Sequence, residues 1–249
     1  MKYRRLIVTG IATAAAAVMT GLAVTGYQIG WGPFSFLFKG FEDEVRAIEN
    51  RYPADERKKE IVFYGASNFR LWKEMEKDLS AYKVQNHGFG GSTDRDLLKY
   101  ADRILYPYEP RVVFFQTGSN DYVSLKGTDE EKVRECMEFK KEMFSAFHEE
   151  LPDAQFVVMS GLLLPGRSQY LSLTEEINSR LSDLCDEYDY MHFVDASKMT
   201  YDGSAYAEEL FVSDRIHLNH EGQLKWRDEY ILPAIEKIIE EKGLDDLRK

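Results

Sequence analysis

Short apolar runs rich in β-branched and aromatic residues recur along the chain, at residues 61–64, 83–86, 112–117, 156–160 and 191–195. Helical patterns fill the intervals. Thr128 and Glu131 form a capping box at the head of one helix, whose apolar face reads Val133, Cys136, Met137, Phe144 and Phe147. A later stretch gathers Ile177, Leu181, Leu184, Cys185 and Tyr188 on one face. Asn219 stands where it can cap the last helix, and Pro233 must kink or divide that helix because its ring nitrogen carries no hydrogen. Strands that alternate with helices imply a parallel sheet covered on both faces. The pattern therefore predicts α/β architecture, a three-layer α/β/α sandwich over residues 55–242, with residues 243–249 left as a polar tail.

The N-terminal pattern is different. Lys2, Arg4 and Arg5 precede an apolar stretch, residues 6–27, that contains no charged side chain. A membrane span needs roughly 20 such residues, whereas the apolar part of a cleaved signal is usually shorter. Gly21-Leu22-Ala23 offers a small-x-small cleavage site. Residues 1–27 thus read as a hydrophobic helix serving as signal-anchor or as signal peptide, with a cytoplasmic chain as the third reading. The basic residues ahead of the stretch put the N-terminus inside and the remainder outside the membrane. The exported readings make the protein extracytoplasmic, either held at the membrane or secreted. Residues 28–54 then form a juxtamembrane segment: an aromatic stretch, 30–39, and a charged helix, 41–51, that ends ahead of Pro53.

Composition narrows the function. The 249 residues carry 32 Lys and Arg against 43 Asp and Glu, a net charge of -11. No basic run offers the stripe that a phosphate backbone requires, so nucleic acid is excluded as a partner. Two cysteines, Cys136 and Cys185, rule out a disulfide scaffold and a cysteine-rich metal site. Both fall on apolar helix faces and are expected as buried free thiols. Nothing in the sequence fixes an oligomeric state.

Ligands of open parallel sheets gather at the carboxyl ends of the strands. After the first strand comes Gly65-Ala66-Ser67-Asn68, after the second Asn86-His87-Gly88-Phe89-Gly90-Gly91-Ser92, and after the third Gly118-Ser119-Asn120-Asp121. Asp214-Arg215-Ile216-His217 stands near the C-terminus. A serine hydroxyl becomes a nucleophile once a base takes its proton, which His217 can do. An imidazole needs a carboxylate to fix its tautomer, and Asp214 lies three positions earlier. The N–H groups of Ser67 and Gly91 and the Asn120 amide can then meet a developing oxyanion. Each piece has a bland alternative: Ser67 as a helix cap, the glycines as turn formers, Asn120 as an Asx-turn.

The ordered set Gly-x-Ser, Gly-Gly, Gly-x-Asn-Asp and Asp-x-x-His resembles the SGNH hydrolases, also called GDSL-type esterases and lipases. The likeness runs from about residue 61 to residue 226. It implies a flavodoxin-like sheet of five parallel strands in the order 2-1-3-4-5, with no cofactor and no metal. It carries the family's nucleophile to Ser67, its acid and base to Asp214 and His217, and its oxyanion donors to Ser67, Gly91 and Asn120. The family's usual Asp before the serine is Ala66 here, so the hydrogen bonds of that Asp are absent. The implied activity is hydrolysis of short-chain acyl or acetyl esters of a carbohydrate, lipid or small molecule through an acyl-enzyme.

Other readings compete. Acyl transfer to a cell-wall glycan would use the same groups, and a non-catalytic binding domain would use the same fold. His217 and His220 have helical spacing, as a metal pair would, and Asp121 stands beside Asn120. A two-metal site, however, needs several more carboxylates or histidines after other strands, and the first strand ends in Gly-Ala-Ser and brings no acid. Asp121 is expected to support the asparagine loop. His87, in the glycine block, and Arg167, in the loop 165–170, are candidates to line the pocket, with a structural role as the alternative for His87. His148 and His192 read as structural or exposed.

Overall fold

In the computed structural model, which describes residues 40–249, each of those apolar runs is a strand: β1 (Ile61–Gly65), β2 (Val84–Gly88), β3 (Val112–Gln116), β4 (Gln155–Met159) and β5 (Met191–Val194). They pair in parallel in the order β2-β1-β3-β4-β5. Both β1 and β3 are buried at every position, as strands covered on two faces must be.

The helices are α1 (Glu42–Arg51), α2 (Ser67–Arg70), α3 (Met75–Asp78), α4 (Asp94–Ile104), α5 (Ser119–Ser124), α6 (Asp129–Glu150), α7 (Leu171–Asp186), α8 (His220–Trp226) and α9 (Leu232–Lys242). Capping boxes start two of them: Thr93 with Asp96 on α4, and Thr128 with Glu131 on α6. Asn219 caps α8 by accepting from the Gly222 N–H. The helix that Pro233 had to disturb is divided by a π-helical turn, Arg227–Ile231, with the proline in the first turn of α9.

Alternate strand residues face opposite layers. Ile61, Phe63, Val112, Phe114, Val157 and Met159 form one core with Trp72, Trp226, Ile235 and Ile239. On the other face Phe115 stacks on Phe147 and meets Phe144 and Phe156 edge-on. Full burial of such side chains contributes about 1.5–3 kcal/mol each, and both faces of the sheet gain it. Cys136 and Cys185 are buried and unbridged, and burial pushes each thiol up to about 12.

Two expected boundaries move. Glu44–Lys249 forms one compact unit, so neither the charged helix nor the last residues stand apart from the domain. Tyr52, directly after α1, is buried and its carbonyl accepts from the Tyr108 hydroxyl at 2.8 Å. Residues 243–249 are not a free polar tail: Leu244 and Leu247 are buried, and the Leu247 carbonyl accepts from the Lys83 N–H at 2.9 Å. The two leucines, with the Lys249 N–H donating to the Ala81 carbonyl at 2.9 Å and Lys83 Nζ to the Asp246 carbonyl at 2.7 Å, dock the segment beside β2. The hydrophobic helix expected over residues 1–27 lies outside the described residues. Among the described residues, no helix is long and apolar enough to cross a membrane.

Candidate active site

The turn from Asp214 to His217 organises itself. One carboxylate oxygen, Oδ1, accepts from the backbone N–H groups of Ile216 (2.8 Å) and His217 (3.0 Å), while Oδ2 lies 2.7 Å from His217 Nδ1. Arg215, at φ 59°, supplies the left-handed residue that folds the turn. Burial tends to raise the Asp214 pKa, but the hydrogen bonds from the ring and the two N–H groups outweigh it and hold the carboxyl below its ordinary value. A carboxylate at Nδ1 leaves the proton on that nitrogen and the lone pair on Nε2. That lone pair lies 2.8 Å from the Ser67 hydroxyl. The structure therefore brings Ser67, His217 and Asp214 into one chain of hydrogen bonds.

Ser67 does not cap its helix. It is the first residue of α2, whose capping position is Ala66 and lacks any side-chain cap bond. The Ala66 N–H donates to the Gln116 carbonyl at 3.2 Å and ties this loop to the end of β3.

The other strand ends supply donors. The Phe89 N–H donates to the Gly65 carbonyl at 3.0 Å, which lays the glycine loop against the serine loop. Gly91 has φ 75°, a left-handed conformation that side chains rarely adopt. The N–H groups of Ser67 and Gly91 enter no hydrogen bond within the described chain. Asn120 Nδ2 donates one hydrogen to the Ser92 carbonyl at 3.0 Å, leaving its second one available.

Beneath these loops lies a charged cluster that the sequence reading missed. Lys140 Nζ and Asp94 Oδ2 are 2.8 Å apart, with both side chains 1% exposed. The Thr117 hydroxyl donates to Asp94 Oδ1, and the Asp94 N–H donates to Asp121 Oδ1 at 3.0 Å. Asp121 thus supports the asparagine loop as expected, by binding it to the start of α4. Burial, reinforced by Asp94, pushes the Asp121 carboxyl up to about 7. Burial alone would lower the Lys140 pKa, but the two carboxylates raise it. The signal was available: Lys140 stands on the α6 stripe between Cys136 and Phe144, where an unpaired cation would be too costly to bury.

The expected pocket residues divide. His87 does not line a pocket. It is the fourth residue of β2 and fully buried, 5.2 Å from the Tyr52 ring and 4.5 Å from that of Tyr108. Desolvation drives its pKa down to about 3. The strand runs two residues further than its apolar run, which carries His87 inward. Arg167 does reach the site. Its Nη1 donates to the Ser119 carbonyl (2.9 Å) and hydroxyl (3.0 Å), and its Nη2 to Asn120 Oδ1 (3.2 Å). His148 stacks on Tyr190, with centroids 3.6 Å apart, and His192 bonds Gln155 at 3.0 Å. His220 is more than half exposed, with Nδ1 3.9 Å from Asp78, while His217 is engaged by Ser67 and Asp214, so the two do not act as a pair.

Comparison with known proteins identifies the family and the fold. The model of the GDSL-like Lipase/Acylhydrolase family matches residues 61–225. No curated protein matches the chain. Among solved structures, a candidate acylhydrolase from Bacteroides fragilis is 18% identical, with TM-score 0.65 over 80% of this chain and 98% of that one. An acetyl-xylooligosaccharide esterase from Geobacillus Stearmophilus is 15% identical, with TM-score 0.55 over 68% and 93%. The catalytic domain of a Streptococcus pneumoniae peptidoglycan O-acetyltransferase is 13% identical, with TM-score 0.52 over 72% and 94%.

Proposed function

The chain belongs to the GDSL-like lipase/acylhydrolase family, and from that premise we propose that it is a serine esterase cleaving short-chain acyl or acetyl esters through an acyl-enzyme. The observation that carries this reading is the relay from Ser67 Oγ through the imidazole to Asp214, at 2.8 and 2.7 Å. As Oγ attacks the ester carbonyl carbon, its proton passes to His217 Nε2, and Asp214 stabilises the imidazolium. The carbonyl oxygen takes the negative charge and accepts from the Ser67 and Gly91 N–H groups and from Asn120 Nδ2. Collapse breaks the ester C–O bond, and the departing alcohol takes the proton from Nε2. Water, deprotonated by the same nitrogen, then attacks the acyl-serine and restores the hydroxyl.

The test is hydrolysis of p-nitrophenyl acetate by purified protein. Ser67→Ala abolishes turnover while leaving thermal unfolding unchanged; wild-type turnover in that variant refutes the assignment.

A second reading keeps the acyl-enzyme but hands the acyl group to a glycan hydroxyl. The likeness to the peptidoglycan O-acetyltransferase domain favours it, as does the apolar stretch at residues 6–27, which would hold the site beside the cell wall. In this proposal residues 1–27 act as a signal-anchor and the domain works outside the membrane. Adding acetylated donor with a glycan acceptor separates the outcomes: free acetate marks hydrolysis, and an acetylated glycan marks transfer. Recovery of the protein in washed membranes, accessible to external protease, tests the location.

A further inference from the structure

We propose that Arg167 is a positioning residue that selects the orientation of the Asn120 amide and keeps its N–H aimed at the oxyanion. The proposal rests on the reading of Asn120 as an oxyanion donor. The two ends of an Asn amide have nearly the same shape, so their surroundings decide which end points where. A guanidinium has donors only. With Arg167 Nη2 at 3.2 Å, the end of Asn120 that faces it must be the carbonyl oxygen. The opposite end then meets the Ser92 carbonyl at 3.0 Å, which requires a donor there. A flipped amide would set two donors against each other at Arg167 and two acceptors against each other at Ser92. It would also present an oxygen to the oxyanion.

The rest of the guanidinium fixes the preceding residue. Nη1 donates to both the carbonyl and the hydroxyl of Ser119, so the peptide entering Asn120 is held along with its side chain. Arg167 has no carboxylate partner among the described residues, although the chain is strongly acidic. Its charge is therefore directed at neutral oxygens. A cation on Oδ1 draws electron density from the amide and makes Nδ2–H a stronger donor.

The loop that presents Arg167 is fastened to the other half of the site. The Gly166 N–H donates to the Arg215 carbonyl at 2.8 Å, inside the turn that carries Asp214 and His217. A Cβ at position 166 would stand 2.8 Å from the Asp214 carbonyl oxygen and 2.9 Å from that of Arg215, so only glycine fits. One short loop thereby ties the amide donor to the acid–base turn.

The experiment compares Arg167→Met, Arg167→Lys, Asn120→Ala and the Arg167→Met/Asn120→Ala double variant of the full-length protein, with p-nitrophenyl acetate as substrate. Arg167→Met lowers kcat about tenfold to a hundredfold, with KM within about twofold, because the lost interaction acts in the transition state. Arg167→Lys, which keeps the charge and one donor, recovers part of that loss. The double variant is no slower than Asn120→Ala alone. Multiplying losses, or a raised KM with unchanged kcat, overturns the proposal; the latter makes Arg167 a substrate contact. Arg167→Lys serves for the cycle if the methionine variant does not fold. A second measurement is independent of turnover: the side-chain NH2 resonances of Asn120 in 15N-labelled protein shift in Arg167→Lys. Unchanged resonances also overturn the proposal. An inactive wild-type protein whose Asn120 resonances do respond to Arg167 refutes the esterase reading and leaves the positioning role standing.

Discussion

Asp214 and Asp121 each hold a loop that carries site chemistry, and they do so in opposite electrostatic regimes. Asp214 is less than one-third exposed, accepts two backbone N–H bonds and an imidazole, and is held ionised. Asp121 is half-buried beside the fully buried Asp94, feels the same cation, and has an oxygen, Oδ2, that is buried with no hydrogen-bond partner. The first carboxylate is stabilised by its own turn, within three residues. The second depends on α4, α5 and α6 arriving together. A site can thus be built from one part that folds locally and one part that only the assembled core supports, and the two should fail in different ways.

The largest difference is expected from Asp214→Asn. It retains the shape of the turn but loses the charge that opposes the imidazolium, so esterase kcat falls about 10⁴-fold with little change in unfolding temperature. Comparable loss of fold stability in that variant would erase the contrast. Lys140→Met should behave in the reverse sense. It leaves the buried Asp94, with Asp121 beside it, without a counter-charge and costs about 3–5 kcal/mol in urea unfolding. Adding Asp94→Asn to it restores part of the loss, and a Lys140→Met protein as stable as wild type would show that the cluster is not what binds these elements. Thr117→Val, which removes the hydroxyl bound to Asp94, should cost about 1.5–3 kcal/mol in the same assay.

The remaining effect is a slope with pH. Asp121, with its carboxyl pushed up to about 7, binds a proton in the folded chain that the unfolded chain releases near pH 4. Stability from this group therefore falls as pH rises through that interval and is level above about 7. Asp214, lowered, contributes in the opposite direction: its stabilisation is full above the ordinary carboxylate range and is lost as pH falls through its folded value. Urea titrations across pH should show the first slope vanish in Asp121→Asn and the second in Asp214→Asn. Identical curves for both variants would mean that the two carboxylates do not differ as described.

What the sequence made legible follows the same division. Ser67 could be read from a short motif at a strand end, Asp214 and His217 from a short motif near the C-terminus, and the sheet because its central strands, β1 and β3, are buried and almost wholly apolar. His87 was misplaced because β2 continues as Val-Gln-Asn-His-Gly, polar in composition yet buried at His87. Lys140 was hidden in a stripe read for its apolar members. Leu244 and Leu247 were masked by the charged residues around them, and the role of α1 by its charge. Glu44, on that helix, accepts from the Gly90 N–H at 2.7 Å and so braces the glycine loop. Such partners are set by tertiary packing, which no local pattern encodes.

The hydroxyl at position 67 and the ring that activates it are 150 residues apart along the chain. During synthesis the serine emerges well before its base, so the two can meet only after the intervening strands have been made. A chain stopped before residue 217 lacks the base that would activate the serine.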